Sequence, residues 1–264
     1  MFDRYLSVAV AAATEAGKLL LKERGNPREV TKKGEVDLVT EMDRRSETMI
    51  VDVLRSAFPD HAILAEEGTR VEGSTPFRWL IDPIDGTTNY AHGFPVFCVA
   101  VALEREGVPL LGVAYDPSRE ELFVAERGRG ASMNGDSLHV SDSASLDDSL
   151  LATGFPYDIR VNPDNNLAEY AAFSLRCRGV RRLGSAVLDL CYVAAGRLDG
   201  FWELRLGPWD MAAGALMVEE AGGAVTDLLG GPFALEKLQI AASNGRIHRE
   251  MVAVLAEHSR RTPA

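Results

Sequence analysis

The sequence predicts an α/β fold whose first half is α+β, and three observations carry that prediction. The second half alternates short apolar strands with segments of helical spacing. The first half places two amphipathic helices ahead of a run of valine-rich strands joined by tight turns. The 264 residues, 46% apolar and 25% charged, are enough to bury a large core as one big domain or two closely packed halves.

In chain order, the spacing of Phe2, Leu6, Val10, Ala13, Ala16 and Leu20 predicts a helix to Glu23, stopped by Gly25-Asn26-Pro27. The charged stretch REVTKKGEVD, with Gly34, reads as a mobile loop. Its lysines are able to close over an anion, although a solvated surface loop is the plainer reading. A second helix opens at Thr40-Glu41-Met42-Asp43 and runs to about Phe58. HAILAEEG is a short apolar run ending in Glu66 and Glu67. CVAVALE, LLGVAYD and ELFVAE, parted by Glu106-Gly107 and Asp116-Pro117-Ser118, predict an antiparallel meander, and Asn134-Gly135 marks a further hairpin before SLHVS. Polarity around Ser141–Asp148 sets a soft boundary between an N-terminal α+β subdomain, 1–145, and a C-terminal α/β subdomain, 146–264, which together form one domain. Beyond it, SLLATG, GVRRLG, DGFWEL, AVTD and LQIAAS read as strands. Leu167–Arg178, Ser185–Ala195, Trp209–Ala221 and Ile247–Glu257 read as helices.

Composition excludes some partners. A net charge of −11 argues against a nucleic-acid footprint, which needs a basic patch. Cys98, Cys177 and Cys191 are odd in number and form no CxxC pair, as expected of reduced thiols. The apolar run LSVAVAAA is too short to span a bilayer and merges into an amphipathic helix, so the expectation is a cytoplasmic chain without a membrane partner.

The chemistry centres on WLIDPIDGTTN, from Trp79 to Asn89. Trp79, Leu80 and Ile81 read as the end of a buried strand. Pro83 then breaks regular structure, which places Asp82 and Asp85 on a turn. Gly86, Thr87, Thr88 and Asn89 open the next element with free backbone N–H groups, a setting that favours an anion. Carboxylates beside an anion nest need bridging cations, so divalent metal plus phosphate satisfies both halves. Glu66 and Asp210 are further candidate carboxylates. Taken alone, Asp210 reads as a favourable charge at a helix N-terminus and Asp43 as the capping-box partner of Thr40. Four carboxylates packed together cannot all stay ionised without cations, and oxygen-only donors suit Mg²⁺ or Mn²⁺. The five histidines are scattered, and none reads as a ligand.

DPIDGTTN, the Glu66-Glu67-Gly68 segment and WDMAAGALMVEEAGG resemble the paired signatures of the inositol monophosphatase family, and the resemblance runs from Thr40 to the SNGRIH segment at Ser243. GSAVLDLCYVAAGRLDGFWE resembles its bacterial branch. The resemblance implies a layered αβαβα sandwich, commonly a homodimer, and lithium-sensitive hydrolysis of a small-molecule phosphate monoester with two or three Mg²⁺ ions, Mn²⁺ being a possible substitute. It implies metal ligands at Glu66, Asp82, the Ile84 carbonyl, Asp85 and Asp210, with Asp82 bridging two metals. It further implies that Thr87 and Asp43 activate water together with Glu66. The amides of Gly86 and Thr87 would hold phosphate, and Arg181, Gly184, Ser185, Ala186, Glu203 and Asp210 would meet the substrate. Arg182 stands beside Arg181, so a register error of one residue is easily made there. Myo-inositol monophosphate is the first expectation for the substrate. The alternatives are a fructose-1,6-bisphosphatase, histidinol-phosphatase or 3′-nucleotide phosphatase type of activity, or a regulatory protein-binding role alongside catalysis, with the transcription machinery as partner.

Overall fold

The computed structural model of the chain describes residues 2–24, 30–32 and 38–259. It begins with α1 (Phe2–Glu23), a two-stranded antiparallel ribbon of β1 (Val30–Lys32) and β2 (Leu38–Thr40), and α2 (Glu41–Ala57). β3 (Ala62–Ala65), β4 (Arg70–Val71) and β5 (Phe77–Asp85) lead into the five-residue α3 (Thr87–Ala91). A meander follows, made of β6 (Cys98–Arg105), β7 (Val108–Asp116), β8 (Glu121–Glu126), β9 (Gly130–Met133) and β10 (Asp136–Ser137). The chain continues as β11 (Leu150–Thr153), α4 (Leu167–Ser174), β12 (Gly179–Arg181), α5 (Ala186–Ala194) and β13 (Gly200–Leu204). It ends with α6 (Pro208–Glu220), β14 (Ala224–Thr226), β15 (Gln239–Ser243) and α7 (His248–Ser259).

Two sheets result. The first has the order β10-β9-β8-β7-β6-β5-β3-β4 and is antiparallel except where β3 runs parallel to β5. The second has the order β12-β11-β13-β15-β14, with β11 parallel to both of its neighbours. Helices α1 and α2 cover one face of the first sheet, α5 and α6 fill the space between the sheets, and α4 and α7 cover the far face of the second. The layering is therefore αβαβα, the mixed α/β architecture that the patterning and the resemblance predict. Alternation along single strands explains it. In β5, Trp79 and Ile81 point to the layer of Tyr5, Ile50 and Leu54, while Leu80 points to the central layer of Leu190 and Met217. In β13, Phe201 faces the central layer and Trp202 the outer one, against Phe173 and Met251. No helix among the described residues is long and apolar enough to cross a membrane.

Three expectations need correcting or setting aside. Pro83 does not end its strand. β5 runs on to Asp85, with a register break against β6 between Asp82 and Asp85. Pairing with β3 stops at Ile81, so Pro83 lies where no ladder bond is lost, the position in which a strand tolerates proline. Helix α4 stops at Ser174 rather than Arg178, because the amides of Arg176 and Cys177 both turn back onto the Phe173 carbonyl and free Gly179 to pair with β11. In the stretch read as a mobile lysine loop, Val30–Lys32 form a strand paired with Leu38–Thr40. The rest of that loop, and the Gly25-Asn26-Pro27 helix stop, lie outside the described residues.

Candidate active site

The acidic stretch after Ile81 is shaped by its own backbone. The amide of Ile84 donates to Asp82 Oδ1 at 3.0 Å, closing an Asx-type turn over Pro83. Gly86 has φ of 99°, and a Cβ there would come within 2.9 Å of the Val96 carbonyl and 3.2 Å of the Gly184 carbonyl. Only glycine meets both demands. Thr87 Oγ1 lies 2.9 Å from Asp43 Oδ1 and 3.0 Å from the Ile84 carbonyl, so its one proton has two acceptors. Asn89 ties the short helix to the second half by donating to the carbonyls of Val96 and Leu183, each at 2.8 Å.

Helix α2 braces this turn with three polar residues that lie on its buried face among Met42, Ile50, Val51 and Leu54. Asp43 meets Thr87. Ser46 donates to the Pro83 carbonyl at 3.0 Å. Glu47 accepts from the amides of Glu67 and Thr69 and from the Thr69 hydroxyl at 2.6–3.1 Å, which fixes the loop that carries Glu66. Ser46 and Glu47 were not singled out from sequence, yet the signal was present: both are polar and in phase with the apolar face of an amphipathic helix.

The second half closes the site. Asp85 accepts from the Ser185 hydroxyl at 2.5 Å and from the amides of Ala186 and Val187 at 3.2 and 2.8 Å. Its carboxylate therefore caps the N-terminus of α5 from across the molecule, where the helix dipole favours it. Ser185 and Ala186, expected to meet the substrate's sugar part, line the cleft but spend these groups on Asp85. Asp210 lies in the first turn of α6 and accepts from the Gly207 amide at 2.6 Å, so it does serve its helix, but it also reaches Asp82.

A cleft of about 90 Å³ opens beside these groups, walled by Asp85, Gly86, Gly184, Glu203 and Asp210. The arginine doublet divides at the cleft. Arg181, the last residue of β12, is exposed and its guanidinium turns to the Val180 carbonyl, whereas Arg182 lines the cleft. The doublet is split because side chains alternate along an extended chain. Glu203 lies on the cleft wall and is not the exposed strand-end charge it reads as in isolation. A Cβ on residue 154 would fall 2.1–2.2 Å from both carboxyl oxygens of Glu203, so Gly154 is what makes room for that group. Gly154 is held in turn by Asn166, which donates to its carbonyl at 2.6 Å and to Thr153 Oγ1 at 2.7 Å and accepts from Trp202 Nε1 at 2.6 Å. Asp189, also on the cleft wall, was not found from sequence; at one turn past Ser185 it reads as an ordinary helix residue.

Burial dominates the electrostatics. It raises the Asp82 carboxyl well above the usual range, and the charges of Glu66, Asp85 and Asp210 raise it further. Asp210 is pushed up to about 8 by burial and then by Asp85, against the pull of the Gly207 amide. Burial raises Asp85 as well, while Ser185 and the two α5 amides hold it down. Burial also raises the Cys98 thiol, which therefore stays protonated and is no nucleophile. Among the described residues no three of His, Cys, Asp or Glu are spaced as a closed metal cage. Instead Asp82 hydrogen-bonds with Glu66 and Asp210, so protons offset part of the charge. Mutually repelling, oxygen-only donors in a buried pocket are a chemistry that fits hard divalent cations.

Comparison with known proteins agrees with this picture. The model of the inositol monophosphatase family matches residues 1–261. An inositol-1-monophosphatase of Synechocystis is 46% identical over 254 residues, covering 96% of this chain and 88% of the relative. A protein of Pseudomonas aeruginosa named Nus factor SuhB is 46% identical over 260 residues, 96% of each chain. The solved structure of an inositol monophosphatase from Anabaena superposes with a TM-score of 0.89 at 43% identity, covering 97% of this chain and 96% of that one. With its layered fold, its buried carboxyl cluster and these relatives, the chain belongs to the inositol monophosphatase family, phosphoric monoester hydrolases that work with metal ions.

Proposed function

We propose that the chain hydrolyses myo-inositol monophosphate to inositol and phosphate, with two or three Mg²⁺ ions that Mn²⁺ can replace. The observation that carries this is the cluster of Glu66, Asp82, Asp85 and Asp210, beside a cleft that Glu203 also lines. Glu66, Asp82, the Ile84 carbonyl, Asp85 and Asp210 would hold the cations. Bound there, the cations would lower the pKa of a water and stabilise charge on the leaving oxygen. The chain's own residues do the rest. The Asp43–Thr87 pair, together with Glu66, orients water and takes up its proton. The main-chain amides of Gly86 and Thr87 hold phosphoryl oxygens. Because α3 is only five residues long, they work mainly as hydrogen-bond donors rather than through a helix dipole. On the organic side, Glu203 accepts from ring hydroxyls and Gly184 keeps the wall close. Arg182, rather than Arg181, supplies the positive charge at the cleft.

A panel of phosphate esters assayed with Mg²⁺ tests the substrate. Inositol monophosphate should lead, and a preference of about tenfold or more in kcat/KM for a fructose bisphosphate, histidinol phosphate or 3′-nucleotide would refute it. Li⁺ should inhibit, and light scattering should give a homodimer.

Relatives named Nus factor SuhB favour a second, regulatory role alongside catalysis, through protein contacts with the transcription machinery rather than direct nucleic-acid binding. Capture of those proteins that survives Asp85→Asn would support it. Loss of capture with that substitution would tie binding to the catalytic site and remove the second role.

A further inference from the structure

Asp189 is a buried carboxyl that the catalytic cluster does not use. It is 1% exposed, and its Oδ1 has no hydrogen-bond partner. Leaving such an oxygen unpaired is costly, so a folded chain rarely keeps one without a use for it. Asp189 nevertheless lies on the wall of the cleft, with Glu203, Asp85 and Arg182 as charged neighbours. Every other residue of α5 in its second turn, Leu190, Cys191, Tyr192 and Val193, belongs to the central core. One turn earlier on the same helix, Ser185 and the first amides clasp Asp85. One face of α5 therefore passes, over a rise of about 5.4 Å, from the catalytic acid cluster to an unpaired acid.

We propose that Asp189 is a specificity-determining substrate contact: with Glu203 it forms a paired-carboxyl subsite that reads the hydroxyl groups of a polyol leaving group. This rests on the proposed phosphatase function and deepens its organic side. Burial, and then the charge of Glu203, raise the Asp189 carboxyl well above its usual range, and Arg182 offsets part of the acid charge. Such a pair offers both a donor and acceptors. Hydroxyl groups, each a donor and an acceptor, match it. A ring with no hydroxyls leaves Asp189 Oδ1 unpaired, and an ammonium group would call for both acids to be ionised. Gly154, pressed against Glu203, shapes the wall so that a ring can approach both acids.

The test compares kcat and KM for myo-inositol 1-phosphate, phosphoethanolamine and 4-nitrophenyl phosphate, with Mg²⁺, in the wild-type enzyme, Asp189→Asn and Asp189→Ala. The expected result is a fall of about tenfold or more in the kcat/KM ratio of inositol phosphate to the aryl ester for Asp189→Ala, carried by KM for the polyol. Asp189→Asn, which still pairs with hydroxyls, should recover most of that ratio. A second readout is thermal stabilisation by free myo-inositol, present in the wild type and lost in Asp189→Ala. If both esters decline together, or the ratio does not move, the assignment of Asp189 is wrong while the phosphatase reading stands. If the wild type prefers phosphoethanolamine and Asp189→Asn abolishes that preference, the subsite reads a cation and the polyol assignment falls. A wild type inactive on every polyol phosphate overturns the substrate proposal and this one together.

Discussion

The cleft has two acidic walls built on different principles. On one side Asp82, Asp85 and Asp210 are crowded together, and almost every oxygen is tied: to the Ile84 amide, to Ser185 and the start of α5, to the Gly207 amide. On the other side Asp189 and Glu203 are just as buried but loosely partnered, with one oxygen unpaired and a glycine for a neighbour. The first wall is rigid and highly charged, which suits cations whose positions must not drift. The second keeps unused hydrogen-bonding capacity, which suits a ligand that brings its own donors and acceptors. Burial raises the pKa of acids on both walls, so burial alone does not separate the roles; the partners do.

The largest expected effect lies on the tied wall. Asp85→Asn should lower kcat by ~10³-fold or more with an unchanged circular dichroism spectrum, and an active, metal-dependent variant would break the division. Next comes Gly154→Ala on the open wall. It should push Glu203 aside and raise KM for a polyol ester by ~10-fold or more while kcat moves far less. Equal losses in both constants would show that the walls are not independent. Asn166→Ala leaves the Trp202 indole N–H without its acceptor and the Gly154 carbonyl with only the long 3.4 Å contact of the Thr153 hydroxyl, and should cost about 2–3 kcal/mol in urea unfolding.

A smaller effect concerns pH. Burial holds the Glu203 carboxyl up at about 8 against an ordinary 4.5. Between those values the folded chain keeps a proton that the unfolded chain has released. The stabilisation is therefore complete below 4.5 and lost as pH rises through 8. In EDTA, Tm should fall between pH 5 and pH 8.5, and Glu203→Gln should flatten part of that slope. The smallest effect separates two adjacent arginines. Arg182→Ala should raise KM several-fold, while Arg181→Ala should stay within about twofold.

The same contrast explains what was legible. The tied wall is written largely in one contiguous stretch, WLIDPIDGTTN, whose residue types and order state their chemistry before any fold is known. Asp43 and Asp210 had plausible local roles as helix-terminal charges. Asp210 keeps its role at the Gly207 amide and serves the cluster as well, so local propensity and site chemistry point the same way. The open wall is assembled from β13, the loop after β11 and one turn of α5, and no local pattern joins Gly154, Asp189 and Glu203. The arginine doublet shows the limit at its sharpest: which of two neighbours enters a cleft depends on strand phase, and β12 is only three residues long. Strand continuity through Pro83 was equally hidden, since it depends on β3 ending at Ala65. Elements with long apolar periodicity, such as α1 and α2, were plain from the start.

Asp85 has one consequence for how the protein is made. Its carboxylate is clasped by Ser185, Ala186 and Val187, 100 residues and more further along the chain. During synthesis the acidic turn leaves the ribosome long before its clasp does. A nascent chain that stops at residue 145 carries the acidic signature but lacks both the start of α5 and Asp210. The hydrogen-bonded setting of Asp85 is therefore completed only once the start of α5 has been made.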